Sequence, residues 1–428
     1  MLAFMLPKKI MITSSPLYVY LQRPDTGQWV TVGRYSLDAS GQLGRFLYAP
    51  SYLEAGFGWS IDPVNLPLIA GNPINATRYG GLHDVLRDAC PDSWGRLLIQ
   101  REHGLGDTAH SSAYLLLASN ADRWGALAIG KSPKPSIAKL STLKLAQLPE
   151  LSEELLAMYE RRPAVNPQLR RRLMATPSMG GARPKVTVQD GHSYWLVKPV
   201  LPSDTVDIPL LEHVVQRWGK AAGLNFAHTE HESAGSGSGL SVVRSLRFDR
   251  SGDQRIMAVS GASLLQTEYP GAAGSASWSY PVLATVLRQI GAPLEDSIEL
   301  FSRMVFNAVI GNDDDHPRNH AIHYSHEQRR WRLTPAFDVV PNPDFIPSHL
   351  ALQVCFGDRS ISTQNILRDA QSFGFESRDH AKQHLETLLN DIEAGYEVVE
   401  SMLTDDLRSL MGARLNEGIR RLRVDYSA

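Results

Sequence analysis

The feature that most constrains the fold is a polar loop, residues 311–319, placed directly before a strand–turn–strand pattern at 321–333. The loop follows an apolar segment with helical periodicity, and it contains three consecutive acids, a histidine and, at its end, Asn319. An antiparallel hairpin brings its two ends together. Asp314 and Asn319, which precede the hairpin, are therefore predicted to lie close to Asp338, which follows it.

Two carboxylates and an amide oxygen around one point are hard ligands that suit Mg²⁺, usually with substrate phosphates completing the shell. A further acid can accept a proton from a hydroxyl, which gives the layout of phosphoryl transfer in kinases. The competing interpretation is a solvated acidic loop that caps the preceding helix, and the position of Asp338 weakens it. A zinc site is disfavoured because Pro317 interrupts the helical spacing of His316, His320 and His323, and no Glu lies between them.

A second set of residues, farther upstream, has the order of a nucleotide-binding half-site. The loop 180–185 contains two glycines, which permit backbone N–H groups to converge on an anion, and two basic residues. Two strand patterns follow, the second ending in Lys198, and then an amphipathic helix from 208 to 222 with Glu212 in its first turn. In kinases such a lysine contacts phosphate and such a glutamate holds the lysine. Each feature alone is as easily an ordinary turn, an exposed strand end or a helix-dipole partner, so only the ordered set favours a nucleotide site.

The order of elements predicts an α+β fold. Strand alternation within 16–49 indicates a small N-terminal mixed α/β domain over 14–135, followed by a bilobed protein-kinase-like domain. Its ATP-binding lobe is predicted at 150–280, and its all-helical C-terminal lobe, carrying the catalytic loop, at 281–425. The last two helices are predicted near 375–392 and 395–421. The N-terminal region shows no cluster of chemical groups, so we expect it to support the fold or bind a partner.

A strand over 240–248 ends in Arg247 and Phe248. Such a strand end between two lobes is a reasonable hinge, where backbone groups can pair with the adenine of a nucleotide. Leu246 precedes the pair.

Composition excludes several classes of protein. The 428 residues are 43% hydrophobic and 21% charged with a net charge of −2, which is ordinary for a globular protein and gives no basic surface for autonomous nucleic-acid binding. Cys90 and Cys355 have no metal spacing and are expected to be reduced and buried, as in a cytoplasmic protein. The apolar start is too short for a signal peptide and is followed by charges, and no run approaches transmembrane length.

The motifs resemble the HipA-like serine/threonine kinases, the toxin components of bacterial toxin–antitoxin pairs. The resemblance spans most of the chain in the right order, and four stretches carry it: 91–96 (PDSWGR), 178–185 (SMGGARPK), 311–319 (GNDDDHPRN) and 333–338 (LTPAFD).

The resemblance implies a role for each matching residue. Asp314 would be the catalytic base, and Asn319 and Asp338 the Mg²⁺ ligands. Glu212 would support Lys198, and Ser178 would be the site of autophosphorylation. Leu246 stands where some relatives have an acid, which puts one hinge contact in doubt. The residues that would contact ATP are Gly180, Gly181, Ala182, Arg183, Pro184, Lys185, Lys198, Arg247, Phe248, His316, Asn319 and Phe337.

The resemblance also implies partners. These are a small helix-turn-helix antitoxin (HipB-like) and a protein substrate from translation, such as an aminoacyl-tRNA synthetase. DNA would be met only through the antitoxin, and no membrane is implied. Two alternatives stay open from the residues: a small-molecule or phosphoinositide-type kinase, whose catalytic loop is similar, and a catalytically silent corepressor that only binds a partner.

Overall fold

A computed structural model describes residues 15–56, 58–106, 108–137, 142–175, 181, 183–234, 239–268 and 275–424. The strands are β1 (Leu17–Gln22), β2 (Trp29–Leu37), β3 (Gly44–Tyr48), β4 (Ile74–Ala76), β5 (Leu127–Gly130), β6 (Leu143–Lys144), β7 (Val186–Asp190), β8 (Ser193–Pro199), β9 (Thr229–Glu232), β10 (Val242–Leu246), β11 (Arg250–Ser251), β12 (Gln254–Arg255), β13 (Ala258–Ser260), β14 (Ala321–Ser325) and β15 (Arg330–Leu333). The α-helices are α1 (Pro50–Glu54), α2 (Arg78–Gly81), α3 (Asp84–Asp88), α4 (Ser93–His103), α5 (Ser111–Leu117), α6 (Leu148–Tyr159), α7 (Pro167–Ala175), α8 (Ile208–Ala221), α9 (Gly261–Leu264), α10 (Tyr280–Gln289), α11 (Leu294–Ile310), α12 (Thr363–Arg368), α13 (Arg378–Val399) and α14 (Asp405–Val424).

Three sheets and a short ribbon organise these strands. The N-terminal sheet has the order β4-β3-β2-β1-β5 and is antiparallel throughout. The second sheet has the order β6-β7-β8-β10-β9, with only the β6–β7 pair parallel. The third, β13-β14-β15, joins a strand from upstream to the predicted hairpin, and β11 pairs with β12. The architecture confirms the predicted α+β class.

The hairpin forms where the sequence predicts it. Helix α11 ends at Gly311, which adopts a left-handed φ of 72° as its C-cap, a conformation that glycine takes without strain. The register pairs Ile322 with Leu333, and the N–H of Thr334 donates to the carbonyl of Ala321 at 3.0 Å. The loop before β14 and the segment after β15 therefore leave the sheet side by side.

Helix α8 packs against the second sheet through its apolar face, and both of its ends have clear capping residues. Asp207 caps it by accepting from the N–H of Leu210 at 3.0 Å, and Gly223 follows it with a left-handed φ of 81°. The buried face includes Trp218 and, in the first turns, Glu212. The acid is thereby held against β8.

The hydrophobic cores run across the predicted domain boundaries. One cluster combines residues of the N-terminal sheet with the C-terminal helices. Another places Trp94 and Leu98 of α4 among residues of α6, β7 and β8. The domain boundaries stay a prediction, but the N-terminal region packs against both parts of the chain that follow it.

The predicted break between the last two helices is wrong. Helix α13 continues through Gly395 to Val399. A Cβ at Gly395 would lie 2.9 Å from the backbone nitrogen of Ala222, so the glycine permits close packing against α8 rather than ending the helix. Within the described residues no helix combines the length and apolar character needed to cross a bilayer, and both cysteines are buried and unpaired.

Candidate active site

Lys198 lies at the centre of a cluster of charges between β8, α8 and the segment after the hairpin. Its Nζ contacts the two carboxylate oxygens of Glu212 at 2.8 and 3.1 Å, and Oδ1 of Asp338 at 2.5 Å. Burial alone would lower the pKa of Lys198, but the charges of Asp338 and Glu212 outweigh it and raise that pKa. The sequence predicted the pairing of Lys198 with Glu212 and grouped Asp338 with Asp314 and Asn319. The fold adds a direct contact between Lys198 and Asp338.

Asp338 has an unusual backbone. Its φ of 57° lies in the left-handed region, which non-glycine residues seldom adopt and which clusters at functional sites. The segment is fixed just before it, because Ala336 exchanges backbone hydrogen bonds of 2.8 Å with Asn225 and Ala227. Desolvation in the cleft would raise the pKa of the Asp338 carboxyl, but the charges of Lys198 and Lys185 outweigh it and lower that pKa. The Asp338 side chain is still 37% exposed.

Two of the three consecutive acids have structural partners. Asp313 accepts from the side-chain amide of Asn342 at 3.1 Å. Asp315 is buried and accepts from the hydroxyl of Tyr280 and the N–H of Ala351, both at 2.6 Å. Neither carboxylate is placed to meet a substrate hydroxyl.

Asp314 differs from both neighbours because its side chain is 84% exposed. Its Oδ1 lies 3.9 Å from Nε2 of His316, and the side-chain amide of Asn319 donates to its backbone carbonyl at 2.7 Å. Partial desolvation and the charge of Asp338 raise the pKa of Asp314, while His316 opposes the shift. Burial lowers the pKa of His316, although the charges of Asp314 and Asp338 oppose this shift.

The glycine loop is described in part. Gly181 has a left-handed φ of 95°, and a Cβ there would lie 2.4 Å from Nζ of Lys185. Lys185 is buried, and burial lowers its pKa although the charge of Asp338 opposes the shift. Predicted residues Ser178, Gly180 and Ala182 lie outside the described residues.

Arg183 does not face the cleft. Its guanidinium makes a bidentate pair with Asp204, at 2.8 and 2.6 Å, and donates to the carbonyl of Pro199 at 3.2 Å. Among the described residues, neither Arg183 nor Pro184 lines the cleft. The Arg183 guanidinium is thus paired with a carboxylate of the same lobe, and its contact with ATP stays a prediction.

The predicted hinge also differs in detail. The backbone N–H of Arg247 donates to the carbonyl of Tyr194 at 2.9 Å, so it is not free for a base. Its buried guanidinium donates to the two carboxylate oxygens of Asp249, at 2.9 and 2.8 Å. Phe248 instead faces Phe337, with ring centroids 5.3 Å apart.

Most of these residues line one cleft. The predicted residues that line it are Gly181, Lys185, Lys198, Glu212, Arg247, Phe248, His316, Asn319, Phe337 and Asp338. Asp314 is not among the described residues that line the cleft, but its exposed carboxylate lies 3.9 Å from Nε2 of His316, which does line it.

The N-terminal region supplies a wall that was not predicted. Asp88, Asp92 and Trp124 line the same cleft, so the expectation that this region carries no chemical groups is wrong. Trp124 meets Phe248 edge to face, with centroids 6.2 Å apart. The available signal was three aspartates, Asp84, Asp88 and Asp92, spaced four residues apart, a spacing that an ordinary solvated helix face also has.

The donor set beside Asp338 fits Mg²⁺. Asp338 and Asn319 both line the cleft and the small cavity beside it, and Mg²⁺ is usually held by one or two carboxylates together with substrate phosphates. The described residues contain no group of three or more His, Cys, Asp or Glu side chains that would form a complete protein cage. Mg²⁺ held by Asp338 and Asn319 would take phosphate and water oxygens as its other ligands.

Comparison with known proteins identifies the fold and the family of this chain. The fold is that of a HipA-type protein: HipA from Shewanella oneidensis MR-1, solved in complex with HipB and operator DNA, aligns over 95% of this chain and 97% of its own with a TM-score of 0.70 at 16% identity. A model of the HipA-like C-terminal domain matches residues 177–396, just over half of the 428 residues. The chain belongs to this family, and the resemblance found in its motifs is confirmed.

Sequence comparison agrees. The chain is 27% identical over 350 residues to Y4mE of Sinorhizobium fredii (strain NBRC 101917 / NGR234), a candidate kinase by its name, covering 74% of this chain and 77% of that protein. The proinflammatory kinase CtkA of Helicobacter pylori aligns more weakly, with a TM-score of 0.41 at 14% identity over 55% of this chain and 90% of its own.

Proposed function

We propose that this protein is an ATP- and Mg²⁺-dependent serine/threonine protein kinase, the toxin component of a toxin–antitoxin pair. The observation that carries the proposal is the contact of Lys198 with both Glu212 and Asp338, next to the exposed carboxylate of Asp314. A kinase site needs this set: a lysine for phosphate, an acid that holds the lysine, an acid for the metal and a base for the hydroxyl.

In the proposed reaction Asp314 accepts the proton of a serine or threonine hydroxyl. The hydroxyl oxygen forms a bond to the γ-phosphorus of ATP. The bond from that phosphorus to the β–γ bridging oxygen breaks, and ADP leaves with the electron pair. Lys198, held by Glu212, contacts the α- and β-phosphates. Mg²⁺ bound by Asp338 and Asn319 would neutralise charge on the phosphate oxygens.

The exposure of Asp314 favours a protein substrate over a small molecule. A small substrate would be enclosed with its base, whereas Asp314 is 84% exposed and can accept a proton from a hydroxyl presented on another protein's surface. The silent-corepressor alternative does not explain why Lys198, Glu212 and Asp338 share one cleft. A buried ion pair adds little stability compared with apolar side chains of similar volume, so stability alone gives no reason for this set of charges.

The partners follow from the family. We propose a HipB-like helix-turn-helix antitoxin as the binding partner, with DNA met only through it, as the solved HipA complex contains HipB and operator DNA. The substrate is proposed to be a translation-related protein, such as an aminoacyl-tRNA synthetase, in the cytoplasm.

Autophosphorylation at Ser178 is part of the proposal. Phosphate there would add roughly −1.5 to −2 charges beside the glycine loop, and this charge would repel the ATP phosphates. Active enzyme incubated with Mg²⁺ and ATP should gain one phosphate at Ser178 and lose activity, as measured by intact mass. If Ser178→Ala gains the same phosphate, the switch does not operate in this protein.

Incubation with radiolabelled ATP and Mg²⁺, with and without bacterial lysate, tests the function. Label in lysate proteins, absent with Asp314→Asn but present with Asp405→Asn, supports a protein kinase. Asp405 is a matched control because its side chain is 96% exposed and far along the chain in α14. Label only in small molecules supports the alternative kinase, and no label at all supports the corepressor.

A further inference from the structure

The guanidinium of Arg318 connects the N-terminal region to the loop that carries Asp314 and Asn319. Its Nε lies 3.1 Å from Oδ2 of Asp92, and its Nη1 lies 3.3 Å from Oδ1 of Asp88. Arg318 directly precedes Asn319 in the chain. The anchoring of this guanidinium on Asp88 and Asp92 therefore restrains the backbone beside the amide side chain that we assign to the metal.

The ion pairs are shielded from water. Asp88 is 2% and Asp92 6% exposed, and the side chain of Arg318 is 11% exposed. Asp88 is held in turn by the N–H and hydroxyl of Ser260, at 2.8 and 2.7 Å. Charge pairs of this kind are strong and directional when the remaining hydrogen-bonding positions are filled.

Asp92 is placed for this contact and not for helix capping. It occupies the N-cap of α4, yet within the described chain its carboxylate accepts no backbone N–H of that helix. It pairs instead with Arg87 at 2.6 Å and with Arg318. The first turn of α4 also contacts the glycine loop, because the N–H of Trp94 donates to the carbonyl of Gly181 at 3.2 Å. The start of α4 thus touches both the glycine loop and the catalytic loop.

We propose that Asp92, acting through Arg318, is a positioning residue for phosphoryl transfer. It holds the guanidinium against the start of α4 and so fixes Asn319 and the backbone of Asp314 relative to Lys198. The inference rests on the proposed function, and it assigns the N-terminal stretch 91–96 a part in the kinase site itself.

Asp92→Asn is the decisive variant, because it preserves volume and removes the charge that holds Arg318. We expect kcat to fall on the order of 10²-fold, the effect of a misplacement of about 1 Å. The affinity for ATP measured without Mg²⁺ should be unchanged, because Asp92 is not assigned a contact with the nucleotide and acts only on the loop that holds the metal. Hydrogen exchange of the 313–320 backbone should become faster. Asp405→Asn removes an equally sized carboxylate from an exposed ion pair with Arg408 and should change neither quantity.

A double-mutant cycle separates positioning from a loss of fold. Arg318→Gln removes the other partner, and Asp92→Asn with Arg318→Gln should be no slower than the worse single variant, because contacting residues do not act additively. Additive losses in kcat, or normal exchange of 313–320 in Asp92→Asn, overturn the proposal. If wild type transfers no phosphate, the proposed function fails, while the exchange measurement still decides whether Asp92 holds the loop.

Discussion

At the residue scale, three adjacent acids have three different environments, and only one of them suits a base. Asp313 is bound by Asn342 and Asp315 by Tyr280, whereas the carboxylate of Asp314 faces solvent. The sequence predicted Asp314 as the base from its position five residues before Asn319 and from the family resemblance. It could not choose among the acids from burial, because burial is decided by α10 and by the segment near Ala351, which are distant in sequence.

Asp314→Asn should fold normally and lose phosphoryl transfer by about 10²–10⁴-fold, the usual contribution of a general base. Its exposed side chain makes few contacts, so the thermal midpoint should stay close to that of wild type. ATP affinity, measured by calorimetry, should also be unchanged. Near-normal turnover would move the role of base to another group.

Asp338→Asn tests the metal ligand without straining the backbone, since Asn tolerates a left-handed φ better than Ala. We expect the affinity for ATP with Mg²⁺ to fall roughly ten- to a hundredfold, as when partners at metal sites are changed. Affinity for ATP without metal should hold or rise, because one negative charge leaves the cleft. Calorimetric titration with and without Mg²⁺ measures both, and equal losses in the two titrations would mean that Asp338 only supports Lys198.

Asp315 makes stability depend on pH. Burial raises its pKa to about 7, against the hydrogen bonds from Tyr280 and Ala351, whereas an unfolded Asp titrates near ~3.9. Between about pH 4 and pH 7 the folded protein therefore binds a proton that the unfolded chain has lost, and stability falls as pH rises. Asparagine at position 315 cannot ionise. The free energy of unfolding of wild type, measured in urea, should therefore fall relative to that of Asp315→Asn as the pH rises from about 4 to about 7. A constant difference would show that Asp315 is ionised throughout.

At the element scale, the sequence predicted local units well. The hairpin β14–β15 and the helix α8 carry their own signals, in the alternation of the strands and in the cap and glycine at the ends of the helix. The contact of α9 with the catalytic loop had no such signal. The N–H of Gly261 donates to the carbonyl of His320 at 2.6 Å, across nearly 60 intervening residues.

Gly261→Ala should disturb the catalytic loop through this contact. A Cβ at Gly261 would lie 2.6 Å from the carbonyl oxygen of Pro317 and 3.1 Å from Cβ of His320. Overpacking of this kind costs about 1–3 kcal/mol, and we expect activity to fall more steeply than stability. Gly106→Ala is the matched control, since a Cβ there meets nothing within 4 Å. Equal kcat in the two folded variants would argue that α9 does not set the loop's position.

At the scale of the whole molecule, the unpredicted part of the site comes from packing between distant regions. Spacing rules placed Lys198, Glu212 and Asp338 in one site because kinases share that order. They could not bring in Trp124, which belongs to the turn before β5 and reaches the cleft only because the N-terminal sheet docks against the rest of the chain. The N-terminal sheet and the C-terminal helices share one hydrophobic core. This packing holds Trp124 at the cleft, where the N-terminal region forms a third wall.

This third wall predicts that nucleotide binding is felt in the N-terminal region. Trp124 lines the cleft and meets Phe248 edge to face, so a bound adenine would order both rings. At about 1,000 times its Kd a ligand stabilises the bound state by ~4.1 kcal/mol, which is ample to slow local opening. A non-hydrolysable ATP analogue with Mg²⁺ should therefore slow hydrogen exchange in 123–130 as well as around Lys198, while β3, which does not line the cleft, serves as the internal control. Protection around Lys198 with unchanged exchange in 123–130 would show that the nucleotide is held by the two lobes alone.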